Sequence, residues 1–137
     1  MNILDICEGT AAVVDLNATV ADAVRAMLDN RVGAAAIVDE NEVVAGIFTE
    51  RDVMRTVTLS GRDPEKIPVR EVMTTPVVLA TSDISPAEAL TVMVDAHHRH
   101  LPIVSEDGKL LGMLSMRHVL LVKVDELAAQ LNTPQKA

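Results

Sequence analysis

The side chains best suited to chemistry fall in two short segments that share one order of residue types. A hydroxyl, a guanidinium and a carboxylate follow one another within four residues, at Thr49, Arg51 and Asp52. Residues 115–118 repeat the hydroxyl and the guanidinium, but an imidazole replaces the carboxylate. Such groups bind anions and accept hydrogen bonds from hydroxyls. Neither segment pairs a nucleophile with a neighbouring base, so we do not expect an enzyme that uses acid–base or nucleophilic catalysis.

A cluster of histidines at residues 97–100, which also contains Arg99, is a second candidate for chemistry. Imidazoles are common metal ligands, but His97 and His98 would point about 100° apart on a helix. No cysteine or acidic residue stands at a matching spacing. Positive charge at the end of a helix also balances the negative end of the helix dipole. We therefore favour phosphate contact or helix capping over a zinc site, and expect no metal.

The composition limits the partners of the chain. Of its 137 residues, 49% are hydrophobic and 1% are aromatic, and the formal net charge is −8. This composition is typical of a folded globular protein, and the negative charge disfavours nucleic acids and anionic membranes as partners. The single cysteine, Cys7, rules out an internal disulfide and is expected to be a small core residue. With no leader and no long apolar run, the sequence predicts a cytoplasmic protein.

An internal repeat determines how the two polar segments are positioned. A shift of 66 positions aligns residues 3–57 with residues 69–123 without a gap, and ten of the 55 pairs are identical. Gly46, for example, aligns with Gly112. The sequence therefore predicts two copies of one structural unit. We place the boundaries at residues 1–60 for the first copy, 61–68 for a linker, 69–131 for the second copy and 132–137 for a flexible tail.

The sequence pattern of each copy predicts the element order β-α-β-β-α. Thr19 and Ser85 are helix N-cap types with an acid three residues later, which is the pattern of a capping box. Apolar residues then recur at helical spacing, and two short apolar runs follow with a polar turn between them. The predicted strands are 10–14, 34–38 and 43–48 in the first copy, and 76–79, 101–104 and 109–114 in the second. The predicted helices are lead-in turns at 3–7 and 69–73, first helices that begin after Thr19 and Ser85, and second helices at 50–57 and 116–131.

One unit of this size is too small to cover both faces of its own sheet. A domain of about 55 residues is marginal alone, whereas two copies can bury the open faces against each other. We therefore predict an α+β fold, in which a tandem pseudo-twofold repeat of β-α-β-β-α units packs sheet to sheet.

The two copies and their motifs resemble a CBS (cystathionine β-synthase) domain pair, also called a Bateman module. Residues 46–53, Gly-Ile-Phe-Thr-Glu-Arg-Asp-Val, are similar to the strand-to-helix signature of the family. Residues 100–104, His-Leu-Pro-Ile-Val, are similar to the strand that precedes this signature. The resemblance covers nearly the entire chain. It implies a regulatory module that binds AMP, ADP, ATP or S-adenosylmethionine in a cleft between the copies, and that often forms dimers.

The residues themselves suit such a ligand. Thr49 stands where a predicted strand ends and a helix starts, and free backbone N–H groups at such a start attract phosphate. Asp52 can accept hydrogen bonds from both hydroxyls of a ribose. The same Thr-x-x-Asp spacing is also a capping pair that only starts a helix, and the two roles are compatible. Because His118 cannot accept two hydroxyl donors, we expect the site at Asp52 to be the better one.

The other predicted contacts involve the phosphate and the adenine of the ligand. Arginines and a histidine can neutralise phosphate charge, and apolar stretches with nearby backbone groups can hold the adenine. The phosphate candidates are Arg51, Arg99, His100 and Arg117, the adenine candidates are Val14, Val77 and Leu101, and Ser115 supplies the hydroxyl of the second copy.

We interpret the chain as a non-enzymatic sensor that needs no obligatory cofactor and takes an adenine nucleotide or S-adenosylmethionine as its regulatory ligand. It would signal through a homodimer or an effector protein, because a ligand acts by its different affinity for two states. The alternative is a structural module that dimerises through exposed helices and binds no metabolite. The two hypotheses differ in whether an adenosyl ligand stabilises the fold.

Overall fold

The computed structural model describes residues 2–7 and 11–132. Its strands are β1 Ala12–Asp15, β2 Ala34–Val38, β3 Val44–Thr49, β4 Ala80–Thr81, β5 His100–Val104 and β6 Leu110–Ser115. Its helices are α1 Ile3–Ile6, α2 Val20–Asn30, α3 Glu50–Val53, α4 Val69–Val72, α5 Pro86–Ala96 and α6 Met116–Asn132, with a π-helical turn at Met54–Thr58 and a 3-10 turn at Pro64–Lys66. These elements confirm the α+β class and the order β-α-β-β-α in each copy.

The first helix of each copy begins at a side-chain cap. Thr19 Oγ1 accepts a hydrogen bond from the N–H of Asp22 at 3.1 Å, and Ser85 caps α5 in the same way. Both helices end at a residue in the left-handed region, Arg31 with φ 54° and His97 with φ 58°. Since these residues are 66 positions apart, the pseudo-twofold symmetry extends to the helix ends.

Each copy contributes one three-stranded sheet, in the orders β1-β2-β3 and β4-β5-β6. In each sheet, the middle strand is parallel to the first and antiparallel to the third.

The first strand of each sheet differs from the prediction. β1 begins at Ala12, while Thr10 lies outside the described residues, and β4 is only Ala80–Thr81 rather than 76–79. Pro76 has no N–H to donate to a strand ladder, and Thr74 pairs instead with Ile47 of β3.

The two sheets face each other across a small apolar layer. Ala36 and Ile47 of the first copy share a buried cluster with Met113 of the second. Val38 shares another with Val104. The predicted sheet-to-sheet packing of a tandem repeat is therefore confirmed.

The lead-in helices are exchanged between the copies. Ile3 and Ile6 of α1 lie in the core of the second copy with Leu114. Val69 of α4 lies in the core of the first copy with Phe48. Each copy completes its core with a helix from the other, which gives duplication a structural reason.

Two equivalent glycines make room for the exchanged segments. A Cβ on Gly46 would clash with the side chain of Met73, and a Cβ on Gly112 would lie 3.2 Å from the Cβ and Sγ of Cys7. Cys7 is buried, and this burial raises the pKa of its thiol to about 11. A protonated, buried thiol is the core residue that the sequence predicts, not a nucleophile.

The second helix is the element in which the two copies differ most. In the second copy α6 is continuous from Met116 to Asn132. In the first copy, the helix predicted for 50–57 is a four-residue α3 followed by the π-helical turn. The hydroxyl of Thr56 donates to the carbonyl of Asp52 at 2.7 Å. This back-bonding and the β-branched residues at 56–58 weaken a regular α-helix at this point.

The segment predicted as a linker is packed against the first copy. Ile67 lies in the core of that copy, and its carbonyl accepts a hydrogen bond from the N–H of Val20 at 2.8 Å. Asn132, assigned to the flexible tail, is the last residue of α6. Residues 133–137 lie outside the described residues, and the domain boundaries stay predictions.

Candidate functional site

The predicted site residues lie where β3 and β6 run into their helices, and the two junctions are built alike. The N–H of Glu50 donates to the carbonyl of Gly33 at 3.1 Å, and the N–H of Met116 donates to the carbonyl of Arg99 at 2.8 Å. A Cβ placed on Gly33 would lie 2.6 Å from Oε1 of Glu50 and 3.5 Å from Cε1 of His100. The junction of the first copy therefore meets the start of β5 in the second copy, and we call this meeting point the seam.

Among the described residues, Asp52 is the buried charged residue, and 4% of its surface is exposed. Its Oδ2 accepts hydrogen bonds from the N–H of Thr49 at 3.0 Å and from the Thr49 hydroxyl at 3.2 Å. Its Oδ1 forms an ion pair with the guanidinium of Arg55. The capping role that the sequence left open is therefore present, and the carboxylate has a different partner on each oxygen.

The same arrangement occurs on the surface at the start of α2. Asp22 accepts a hydrogen bond from the N–H of Thr19 at 2.9 Å, and Arg25 donates to its other oxygen at 2.9 Å. The backbone bond to Thr19, followed by the bond to Arg25, holds the pKa of Asp22 below its usual value. The Asp22 side chain is 45% exposed, whereas that of Asp52 is 6% exposed. Capping a helix does not require the burial that Asp52 undergoes.

The N–H groups at the start of α3 are less available than the sequence suggests. The N–H of Glu50 is bonded to Gly33, and the N–H of Asp52 donates to the Thr49 hydroxyl at 3.3 Å. In the second copy, the N–H of His118 donates to the Ser115 hydroxyl at 3.1 Å. Two of these N–H groups in the first copy are therefore already bonded, one to Gly33 and one within the cap, which leaves fewer backbone donors for a phosphate than the sequence suggested. Side-chain cations are left as the main groups for an anion.

Charged side chains converge on His100 at the seam. Burial lowers the pKa of His100, the charge of Glu50 opposes this shift, and the charges of His118 and Arg99 add to it. Nδ1 of His118 is buried without a hydrogen-bond partner among the described residues. The seam therefore brings two predicted histidines together with an acid that the sequence analysis did not select.

The remaining candidates are divided between the surface and the core. Arg51 and Arg117 are exposed, and neither forms an ion pair within the described part of the chain. Leu101 is 1% exposed and lies in the core of the second copy. Val77 packs between the two sheets. Val14 lines a cavity of about 440 Å³ beside β1 that includes none of the other candidates.

That cavity has an equivalent in the second copy. A cavity of about 430 Å³ lies beside β4, and each of its seven lining residues is 66 positions beyond one in the first cavity. The structure therefore separates Val14 from the seam and keeps Thr49, Asp52, His100 and His118 at the junctions.

The sequence analysis did not select two residues that lie beside the candidate site residues. Arg55 could have been found from its spacing, because residues three apart on a helix lie side by side. Glu50 had no such signal, since its neighbour His100 is 50 positions away in the chain. Within residues 2–7 and 11–132, no group of three His, Cys, Asp or Glu side chains is placed to hold a metal ion. No helix in these ranges is long and apolar enough to cross a membrane.

Comparison with known proteins agrees with this architecture. The CBS domain family matches residues 5–58 and 69–125. An uncharacterized protein of Methanopyrus kandleri is 37% identical over 97 residues, which are 71% of this chain and 50% of that protein. The chain thus spans about half the length of this relative.

Two solved structures share the fold. A CBS-domain protein from Burkholderia ambifaria matches with a TM-score of 0.81 and 27% identity over 100% of both chains. A CBS domain protein from Pyrobaculum aerophilum, solved in complex with AMP, matches with a TM-score of 0.79 and 21% identity over 91% of this chain and 99% of that chain. Matched in two tandem blocks that cover most of its length, the chain belongs to the CBS domain family and is a CBS domain pair.

Proposed function

We propose that the chain is a non-enzymatic regulatory module that binds an adenosine-containing ligand, such as AMP, ADP, ATP or S-adenosylmethionine, in the cleft between its two CBS repeats. The AMP complex of a protein with the same fold supports this class of ligand. Binding would be passed on through a homodimer or an effector protein, because a ligand shifts a protein toward the state that it binds better. A cytoplasmic location stays a prediction from the sequence.

The burial of Asp52 is the observation that carries this proposal. An ionised carboxylate loses hydration when it is buried, and this loss is unfavourable unless hydrogen bonds replace the water. Asp22 forms the same capping box and the same arginine pair on the surface, without that loss. Capping alone does not explain why the Asp52 carboxylate is buried. A ligand whose hydroxyls donate to Asp52 would replace the lost hydration and account for this burial.

The ligand would lie along the seam with its ribose at Asp52. The two hydroxyls of a ribose would donate to Oδ1, since Oδ2 is bonded to Thr49. Arg51, Arg99 and His100 would face the phosphate. We retain Val77 and the backbone of Leu101 as the adenine contacts, and Val14 as a weaker candidate because it lines a separate cavity.

The junction of the second copy would form a weaker site. Ser115 and Arg117 keep the hydroxyl and the guanidinium there, but His118 offers one acceptor at most. Nδ1 of His118 is buried without a hydrogen-bond partner in the described structure. We propose that the Asp52 site fills first.

A ligand panel with two matched variants tests the proposal. Asp52→Asn keeps an oxygen for the cap but removes the charge, and Asp22→Asn makes the same change at the exposed capping box. At about 100 times its dissociation constant, a ligand should stabilise the wild-type fold by roughly 2.7 kcal/mol in a thermal shift assay. By calorimetry, Asp52→Asn should weaken that ligand about 10- to 150-fold, because a hydrogen bond to a charged group is worth about 1.5–3 kcal/mol.

The Asp22→Asn control separates the loss of a helix cap from the loss of a ligand contact. Asp22 lines the separate cavity of Val14 and not the seam, so Asp22→Asn should lose some stability as a capping change does, while its affinity for a ligand in the seam stays that of the wild type. Equal affinities in all three proteins would mean that Asp52 only caps α3. If AMP, ADP, ATP and S-adenosylmethionine all leave the melting temperature unchanged, the proposed ligand class is wrong.

A second candidate function is a structural module that assembles without a metabolite. The observation in its favour is a row of exposed apolar residues on α6, namely Leu120, Val124, Leu127 and Leu131. The two functions make different predictions for the ligand panel, since a purely structural module would assemble fully while no adenosyl compound stabilised it.

A further inference from the structure

We propose that Arg55 competes with the ligand for Asp52, so that its guanidinium sets how tightly a ribose binds. This inference rests on the proposed function and concerns the group that already holds one oxygen of the carboxylate. Arg55 would act as an affinity-determining residue that the ligand has to displace, and not as a ligand contact.

The hydrogen bonds at Asp52 leave one oxygen for exchange. Oδ2 accepts both the N–H and the hydroxyl of Thr49, and these bonds belong to the helix cap. Oδ1 is held by Arg55. The Asp52 side chain is 6% exposed and the Arg55 side chain is 62% exposed, so the guanidinium is the solvent-facing partner of a covered carboxylate. An oxygen of this kind accepts two hydrogen bonds, so a diol that donates both of its hydroxyls to Oδ1 has to replace the guanidinium.

The chemistry of the two donors makes this exchange direct. A guanidinium presents several N–H donors in a planar fork, and a vicinal diol presents two O–H donors on adjacent carbons. Both satisfy the same carboxylate oxygen. The diol is neutral, however, so the exchange gives up an ion pair that a ribose does not restore.

The backbone around Arg55 allows the side chain to leave. Arg55 lies in the π-helical turn Met54–Thr58, in which no residue is buried. The Arg55 side chain is itself 62% exposed, so it can move away from Asp52 without a change in the core. The residue 66 positions later is Leu121, within the regular helix α6, so the second copy has neither the carboxylate nor the competitor.

Adenosine is the probe that isolates this competition, because it has a ribose and no phosphate. We would measure its dissociation constant by calorimetry for the wild type, Arg55→Met, Arg55→Lys and Arg25→Met. Arg55→Met should bind adenosine about fivefold more tightly, since an ion pair whose cation is solvent-exposed is worth about 1 kcal/mol. Arg55→Lys keeps the cation and should resemble the wild type. Arg25→Met removes the equivalent pair at Asp22, together with the pair between Arg25 and Glu65, and should leave binding unchanged.

Salt gives a second readout that a structural role of Arg55 would not move. Raising the ionic strength from about 20 to about 500 mM screens the ion pair and should tighten adenosine binding to the wild type. Adenosine binding to Arg55→Met should not respond to salt, because the ligand is neutral.

An Arg55→Met protein that binds adenosine as the wild type does, or more weakly, would overturn the competition while leaving the proposed function intact. Absence of binding of both adenosine and AMP to the wild type and the variants would instead overturn the proposed function and this inference with it.

Discussion

At the scale of single residues, His100 couples the charge of the seam to the stability of the fold. Burial places the pKa of its imidazole below the ordinary value of 6.5, against the attraction of Glu50 and with the repulsion of His118 and Arg99. The folded chain therefore binds fewer protons than the unfolded chain as the pH falls below 6.5, and protonation favours unfolding. We predict that the free energy of unfolding is fully retained above about pH 6.5 and falls below it, by at most about 1.4 kcal/mol per pH unit from this group.

Urea unfolding between about pH 7.5 and 5.5 measures this effect above the range in which carboxylates titrate. His100→Gln should flatten the dependence on pH. His97→Asn changes an exposed histidine at the end of α5 and should keep the wild-type dependence. If the curves of His100→Gln and the wild type are parallel, another group causes the loss of stability in acid.

Local residue patterns predicted the caps but not the environment of the capping groups. Thr49 and Asp52 are three positions apart, so their hydrogen bonds follow from the geometry of one helical turn. The burial of Asp52 depends instead on what the tertiary fold places over that turn. The approach of Glu50 to His100 depends on the packing of two copies, which no spacing of 50 residues can show.

At the scale of elements, Gly46 determines how closely α4 and its following residues approach β3. A Cβ at Gly46 would clash with the flexible side chain of Met73. We predict that Gly46→Ala lowers the free energy of unfolding by about 1 kcal/mol, because the half-buried side chain of Met73 has to move to another rotamer. Measured with Met73→Ala in a double-mutant cycle, the two changes should be strongly non-additive, since the second removes the clash that the first creates. Additive losses would mean that Met73 does not fill the space above Gly46.

The elements show where an internal repeat helps prediction and where it misleads. Alignment of the copies at 66 positions correctly predicts equivalent caps for α2 and α5, because each cap depends on local hydrogen bonds. The alignment wrongly predicts that the second helices of the two copies are alike. Thr56 bonds back to Asp52 in the first copy, whereas its equivalent Val122 has no hydroxyl and continues α6.

At the scale of the whole molecule, duplication and exchange pack the two copies into one body. The core of each copy contains residues from the lead-in helix of the other, Ile3 and Ile6 in one direction and Val69 in the other. The alignment predicted the two copies and their facing sheets. It did not predict the exchange, because the apolar pattern of a four-residue helix does not specify which of two equivalent cores it enters.

The surface of this body carries one long row of exposed apolar residues. Leu120, Val124, Leu127 and Leu131 follow at intervals of four, three and four along α6, and their exposed fractions are 46%, 59%, 57% and 86%. This is the spacing of a helix-pairing seam, in which alternate steps of three and four keep apolar residues on one face. A second copy of the chain presents the same row and is the partner of matching chemistry. We therefore predict a homodimer that pairs α6 with α6.

Sedimentation equilibrium tests this assembly directly. The wild type should sediment at twice the 14.7 kDa mass of one chain, and Leu127→Glu should shift it to the mass of one chain. A carboxylate in the middle of an apolar interface would be buried without a partner, which opposes association. Leu59→Glu places the same charge at an exposed leucine outside the row and should leave the dimer intact. A wild type that stays monomeric would exclude the dimer, whereas a dimer that survives Leu127→Glu would place the interface on another surface.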